Sequence, residues 1–303
     1  MKTKLSTTNT IDQQTLHANL YTPEKAKGMV VFFHGMAEHK ERYVDLARYL
    51  VAYDLAVLLC DLRGHGESLF DGHIKGHFAD QDGWQLMIDD LHQLIIQAQK
   101  ITTHDTFVLV GHSMGSIVAR SYLKQHSEHI KGLILTGIPA NPPLPKAVYL
   151  VSKLLAKANP KKECQLLYKQ SFLTFDKKTA SKEHLSWLSV RKDNVLSYKS
   201  DPLCGFLFTN QGFVDLSYGI VDALDYDEYQ VKNPTCKMWF IIGSLDVTCD
   251  VNQIQKLVDH FNTIGYHNIQ SSVIEGVAHE VLFDENKHTL WRQVADFIDF
   301  SIR

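Results

Sequence analysis

Residues 107–120 read Phe107-Val108-Leu109-Val110-Gly111-His112-Ser113-Met114-Gly115-Ser116-Ile117-Val118-Ala119-Arg120. The first four form an unbroken apolar run, as a buried strand requires. The last five suit a helix. Between them, Gly-His-Ser-Met-Gly at 111–115 is a G-x-S-x-G turn. Glycines two positions either side of Ser113 let strand and helix approach closely, and the serine takes an awkward backbone conformation. Its hydroxyl is pushed out over the sheet edge, above a helix N-terminus that favours negative charge. The pentapeptide alone also arises by chance on surface loops. The strand–turn–helix setting is what makes it informative.

A serine hydroxyl is a weak nucleophile at neutral pH. It needs a base, and the base needs an orienting carboxylate. The chain order that accompanies this turn is serine, acid, histidine. The apolar run Lys237-Met238-Trp239-Phe240-Ile241-Ile242 ends in Gly243-Ser244-Leu245-Asp246, which puts Asp246 just past a strand. The run from Ile269 to Ile274 leads into Glu275-Gly276-Val277-Ala278-His279, which puts His279 past the next one. Both loops are expected at the sheet edge that carries the serine. Asp250 competes with Asp246 but reads as a helix N-cap before Val251-Asn252-Gln253-Ile254. His65 competes with His279, but chain order favours His279. The oxyanion formed during attack needs two backbone donors. Met114, directly after the serine, supplies one. Met36 supplies the other, from the His34-Gly35-Met36 loop after the strand Val30-Val31-Phe32-Phe33. His34 is expected to brace that loop.

Strand-like runs alternate with helical stretches, which predicts an α/β chain with a mostly parallel sheet covered on both faces. Runs near Leu5 and from Thr15 to Tyr21 open it antiparallel. Met29–Phe33, Ala56–Cys60, Thr106–Val110, Gly132–Thr136, Met238–Ile242 and Ile269–Ile274 follow, for eight strands. Helices are predicted over 41–52, 84–100, 115–126, 251–263 and 287–301. The alternation breaks after Gly137-Ile138-Pro139. From Asn141-Pro142-Pro143 to Val231-Lys232-Asn233-Pro234 there is no strand–helix unit, and prolines bracket both ends. This predicts a core of residues 1–140 and 232–303 with an inserted helical cap, 141–231, entering and leaving at the site edge.

Several separated motifs now stand in order: H-G-M-A-E-H at 34–39, D-L-R-G-H-G-E-S at 61–68 and G-H-S-M-G at 111–115. Ser200-Asp201-Pro202-Leu203, after Arg191-Lys192-Asp193, and the acid loop Asp246-Val247-Thr248-Cys249-Asp250 continue the series. Together they resemble the monoacylglycerol lipase and lysophospholipase group of α/β-hydrolases, from about residue 15 to the C-terminus. The stretch Cys204-Gly205-Phe206-Leu207-Phe208-Thr209-Asn210 is closer to bacterial members. The resemblance implies an α/β-hydrolase fold with a helical cap, no cofactor, and hydrolysis of single-chain lipid esters. It carries over Ser113, Asp246 and His279 as triad and Met36 and Met114 as oxyanion donors. A thioesterase, peptidase or acyltransferase would use the same triad. A non-catalytic lipid-binding member would show a degraded triad, and here all three positions are filled.

At 303 residues the chain holds one large α/β domain with an insertion. A formal net charge of −3 gives no electrostatic case for nucleic acid. The N-terminal stretch lacks the apolar segment of a signal peptide, and no run is long enough to span a membrane. Cys60, Cys164, Cys204, Cys236 and Cys249 are odd in number and scattered, which predicts free thiols in a reducing, cytoplasmic setting. His73 and His77 are four apart, but Gly72 and Gly76 make that segment a loop. With no H-E-x-x-H and no Cys/His cluster in sequence, no metal site is expected.

The first cap helix is amphipathic. Ala147, Val148, Val151, Leu154 and Leu155 share one face, with Lys146, Lys153 and Lys157 opposite. One reading packs the apolar face on its neighbours and solvates the lysines. The other lays the helix on an anionic lipid surface, a peripheral membrane contact through the cap. Phe172, Phe175, Trp187, Leu203, Phe206, Phe208 and Phe213 supply either cap core or an acyl-chain pocket. Oligomeric state leaves no mark on the sequence.

Overall fold

The apolar runs become strands β1 (Lys2–Thr8), β2 (Thr15–Tyr21), β3 (Gly28–Phe33), β4 (Leu55–Cys60), β5 (Phe107–His112), β6 (Ile130–Thr136), β7 (Lys237–Gly243) and β8 (Ile269–Ile274). They are seen in a computed structural model that describes residues 1–69, 74–140, 142, 144–181, 183–227 and 229–303, with the backbone alone for 170–173. His73, Asn141, Pro143 and the Phe172 side chain therefore lie outside the described residues. The strands form one eight-stranded sheet in the order β1-β2-β4-β3-β5-β6-β7-β8. β2 pairs antiparallel with both β1 and β4, and every other pair is parallel. Chain reversal between β3 and β5 on one side and β4 on the other is the topological switch where α/β sheets open a crevice.

The helices are α1 (Val44–Val51), α2 (Gly83–Thr102), α3 (Met114–His126), α4 (Pro145–Ala158), α5 (Gln165–Lys178), α6 (Lys192–Ser200), α7 (Asn210–Asp222), α8 (Val251–Thr263) and α9 (Lys287–Ile302). Strands β3 to β5 are buried on both faces, so alternate side chains feed two cores. Val31, Phe33, Leu58 and Leu109 pack under α2, α3 and α8. Val30, Phe32, Val57 and Val108 pack under α1 and α9. A membrane-spanning helix would need a long apolar run, and no described helix has one.

Two local features of the helices have visible causes, the first a departure from the sequence reading. The helix expected from 41 is a 3₁₀ turn over Lys40–Tyr43 before α1 begins. Asp61, just past β4, accepts from the Lys40 amide at 2.9 Å and pairs with its ammonium, holding that entry in place. The other is α4, for which the sequence left two readings open. Its buried residues are Ser152 and Ala156. Their small side chains let α4 lie close on α7, where the Ser152 and Ser217 hydroxyls meet at 3.0 Å. The bulky apolar residues are turned out instead: Val151 is exposed, Leu150 is 61 % exposed and Leu154 is 71 % exposed.

Candidate active site

At the end of β5 the backbone turns through Ser113 at φ 51°, ψ −119°, and α3 starts at the next residue. Glycine at 111 and 115 is a steric need. A Cβ on Gly111 would stand 2.4 Å from the Gly115 carbonyl oxygen, and one on Gly115 would stand 2.2 Å from that of Phe33. The strain at Ser113 is held by its amide, which donates to Thr136 O on β6 at 2.9 Å.

Loops after β7 and β8 bring the other two predicted residues to it. His279 Nε2 is 2.9 Å from Ser113 Oγ, and His279 Nδ1 is 2.9 Å from Asp246 Oδ2. The other Asp246 oxygen accepts from the Thr248 amide at 2.9 Å and its hydroxyl at 2.7 Å. Burial alone would push the His279 pKa down and that of Asp246 up. The charge and hydrogen bond each gives the other outweigh burial, so His279 lies above the ordinary histidine value and Asp246 below the ordinary carboxylate. Neighbouring His112 is held neutral. Burial first, then His279, lowers its pKa to about 3.

Met36 and Met114 face the same space. Neither backbone N–H hydrogen-bonds to another described residue, although their neighbours do. The Gly35 amide donates to Glu38 Oε1 at 2.5 Å, and the Ala37 amide donates to His65 Nε2 at 3.2 Å. Ala37 O accepts from the Tyr198 hydroxyl at 2.8 Å and the Gly205 amide at 2.9 Å. The loop is thus fixed on both sides of Met36. His34 braces it from beneath: Nδ1 meets Gly35 O at 2.8 Å, and Nε2 accepts from the Leu62 amide at 3.1 Å. His65 spends its ring nitrogens on the Ala37 amide and Arg63 O, and it is His279 that bonds Ser113. His65 is a buried prop whose pKa burial lowers to about 3. Asp250 caps α8, with a reciprocal bond between its side chain and the amide and side chain of Gln253.

A buried charge network behind the site had no reading in sequence. Arg42 Nη1 donates to Glu38 Oε2 and to Glu280 Oε1, each at 2.6 Å. Asn194, on α6, donates to Glu280 Oε2 at 2.6 Å. The available signal was the charge run Glu38-His39-Lys40-Glu41-Arg42, a few residues past the buried strand β3, but its partners lie far off in sequence. His39 pairs with Asp201 at 2.8 Å. With Cys204 they form a group whose ligand atoms lie within 4.8 Å of one another, the one metal-compatible cluster among the described residues. Chain separation hid it. His77 contacts Thr209 Oγ1 at 3.0 Å and Asp80 Oδ1 at 3.1 Å.

The cavity over Ser113 is apolar. Ile117, Phe175, Trp187, Phe206, Phe213 and Leu216 line it with Met36, Met114 and His279. Phe208 is instead fully buried, and Leu203 is not in the lining. Residues 24–286 match a hydrolase family model described as serine aminopeptidase, S33. The chain belongs to this family. It is 25% identical over 280 residues to a probable lysophospholipase L2 of Haemophilus influenzae, covering 89% of this chain and 83% of that one. It is 28% identical over 245 residues to the monoglyceride lipase of Rattus norvegicus, covering 79% and 72%. The monoacylglycerol lipase of Mycolicibacterium smegmatis is 25% identical over 286 residues, covering 92% and 91%. Among solved structures, a thermostable carboxyl esterase from Bacillus coagulans in complex with glycerol superposes with a TM-score of 0.88 at 23% identity, covering 100% of this chain and 99% of that one. A soluble variant of Saccharomyces cerevisiae monoglyceride lipase gives 0.74 at 16%, covering 97% and 94%. This family member has the α/β-hydrolase fold.

Proposed function

We propose that this hydrolase cleaves carboxylic esters of single-chain lipids, monoacylglycerols or lysophospholipids, through an acyl-enzyme on Ser113. The supporting observation is the unbroken hydrogen-bond chain from Asp246 through His279 to Ser113, opening into an apolar cavity. In this reading His279 takes the Ser113 proton as Oγ attacks the ester carbonyl. Asp246 steadies the imidazolium, and the Met36 and Met114 amides receive the oxyanion. His279 then protonates the leaving alcohol. Water repeats the sequence on the acyl-enzyme. The relatives named as lipases and lysophospholipases agree with this substrate class.

The family description raises a peptidase as the second reading. An aminopeptidase needs an uncommitted anion near the nucleophile for the substrate's ammonium. Glu38 and Glu280 line the cavity, but both are hydrogen-bonded to Arg42. That favours the ester. The deciding experiment compares turnover of 1-monoacylglycerol, lysophospholipid, acyl-CoA and an aminoacyl amide, with Ser113→Ala as control. Faster turnover of either lipid ester, lost by about 10⁴-fold or more in the variant, is expected. Preference for the amide, or near-wild-type rates in Ser113→Ala, rejects the proposal.

Residues 141–231 serve in this reading as the cap that sets substrate choice. Leu144, Leu150, Val151 and Leu154 stand exposed on or beside α4 with Lys146, Lys153 and Lys157 on the same helix. An exposed apolar stripe with lysines suits peripheral contact with an anionic lipid surface.

A further inference from the structure

A second cavity, this one positively charged, lies beside the acid loop. Arg120, on α3 seven residues past Ser113, is 1 % exposed. Its hydrogen bond among the described residues runs from Nε to Ser116 O, one turn back on the same helix, at 3.3 Å. No described carboxylate lies within ion-pair distance of it. A guanidinium stays charged in proteins, and an unanswered buried charge is costly. Its titratable neighbours, Tyr226 and Cys249, do not answer it. Burial raises both pKa values, that of Cys249 to about 12, so both are neutral at physiological pH. The Tyr226 hydroxyl and His260 Nε2 are themselves buried without a hydrogen-bond partner among the described residues.

Arg120 faces a cavity of about 210 Å³, against the roughly 10–15 Å³ that one water needs. Pro139, Ala140, Cys249, Gln253 and Lys256 line it too. Lys256 is exposed and pairs with no described acid. Gln253 Oε1 is taken by the Asp250 amide at 2.8 Å, so its remaining polar group is an N–H₂ donor. The lining therefore offers two positive charges and an amide donor, with Arg120 buried and Lys256 exposed. A carboxylate would answer one charge. A phosphoryl group carries between one and two negative charges near neutrality and takes both a guanidinium fork and an ammonium.

We propose that Arg120, Gln253 and Lys256 form a binding pocket for a phosphoryl oxyanion, carried either by free phosphate or by a lipid headgroup. The pocket adjoins the Ser113 cavity, with Pro139 in the lining of both. It also abuts the triad's support, since the Ala140 amide donates to Thr248 O at 2.9 Å and Thr248 holds Asp246.

Isothermal titration calorimetry of the full chain with inorganic phosphate at constant ionic strength tests the free-anion source. Flotation with phosphatidylcholine vesicles, with and without lysophosphatidic acid, tests the lipid source. Saturable phosphate binding is expected, abolished in Arg120→Met and weakened about tenfold or more in Lys256→Glu. Lys256 is a surface residue, so its variant carries the test if Arg120→Met fails to fold. A response to lysophosphatidic acid vesicles alone, lost in Lys256→Glu, assigns the pocket to a headgroup. Absence of both responses, or binding unchanged by Lys256→Glu, overturns the proposal. The phosphate arm reads binding alone and stands apart from whether Ser113 is the nucleophile; the lipid arm is run in the Ser113→Ala background, so that lysophosphatidic acid is not consumed as a substrate.

Discussion

Arg42 donates to Glu280 through two hydrogen bonds, 2.6 and 3.0 Å long, across 238 residues of sequence. Because Arg42 also holds Glu38, and Glu38 holds the Gly35 amide, one guanidinium ties the loop of Met36 to the loop of His279. The side chains of Glu38, Arg42 and Glu280 are only 3, 8 and 2 % exposed. Two carboxylates on one guanidinium leave a net negative charge behind the imidazole, and both help hold its pKa up. Glu280→Gln removes that charge and keeps the shape. The acid limb of kcat/KM against pH is expected to move to lower pH, because His279 then loses its proton sooner. Arg42→Met strands two buried carboxylates and should cost about 3–5 kcal/mol of stability, read by denaturant unfolding. An unmoved acid limb in Glu280→Gln would show the network to be structural only.

Asp246 acts on the same limb more strongly. Its charge and hydrogen bond are what hold the His279 pKa above the ordinary value against burial. A general base works only when neutral, so wild-type activity should rise with pH through a point above that ordinary value. In Asp246→Asn burial is left to dominate, and the limb should shift to lower pH while the plateau falls by about 10⁴-fold. Full pH–rate profiles on a soluble ester check both parts. A shift to higher pH would contradict the assigned partnership.

What was legible in sequence followed from local patterning. Each parallel strand is a short apolar run bounded by turns, and a residue just past such a run must lie at the strand's C-terminal end. That rule placed Ser113, Asp246 and His279 at one sheet edge. It also supplied Met36, because His34-Gly35-Met36 follows β3. The rest depended on contacts between distant segments. The spacing of Glu38, Arg42 and Glu280 carries no period, so nothing local announced their pairing. On α4 the apolar face was legible, but its orientation was not. Small Ser152 and Ala156 allow a closer approach to α7 than Val151 or Leu154 would. The helix buries what packs tightly rather than what is most hydrophobic.

Asp215 lies at a buried contact between α7 and α2. Its carboxyl packs where Gly83 opens α2, so closely that a Cβ on Gly83 would lie 2.5 Å from Oδ2. Oδ2 has no hydrogen-bond partner among the described residues, and burial, against a bond from Gln211 to Oδ1 at 3.3 Å, pushes the pKa up to about 8. Between pH 4 and 8 the folded chain keeps a proton here that the unfolded chain releases. Stability from this group is therefore present at low pH and lost as pH rises toward about 8. Asp215→Asn cannot ionise. Its Tm relative to wild type should rise from pH 5 to pH 8.5, measured by thermal unfolding in matched buffers. The same Tm difference at both pH values would rule out a buried neutral carboxyl.

The exposed face of α4 predicts a membrane response separable from chemistry. Leu150 and Leu154 lie on the same outward side, and each would gain about 1.5–3 kcal/mol on leaving water. Replacing both with glutamate removes that gain and adds charges repelled by an anionic surface. Binding to phosphatidylglycerol-containing vesicles, read by co-sedimentation, should fall by about 10²–10⁴-fold. The lysines make part of the attraction electrostatic, so wild-type binding should weaken as added salt shortens the screening length. Turnover of a short soluble ester should stay near wild type, because neither leucine lines the Ser113 cavity. Hydrolysis of vesicle-borne monoacylglycerol should drop with binding. If the double variant binds vesicles as wild type does, the apolar face of α4 is not the membrane contact.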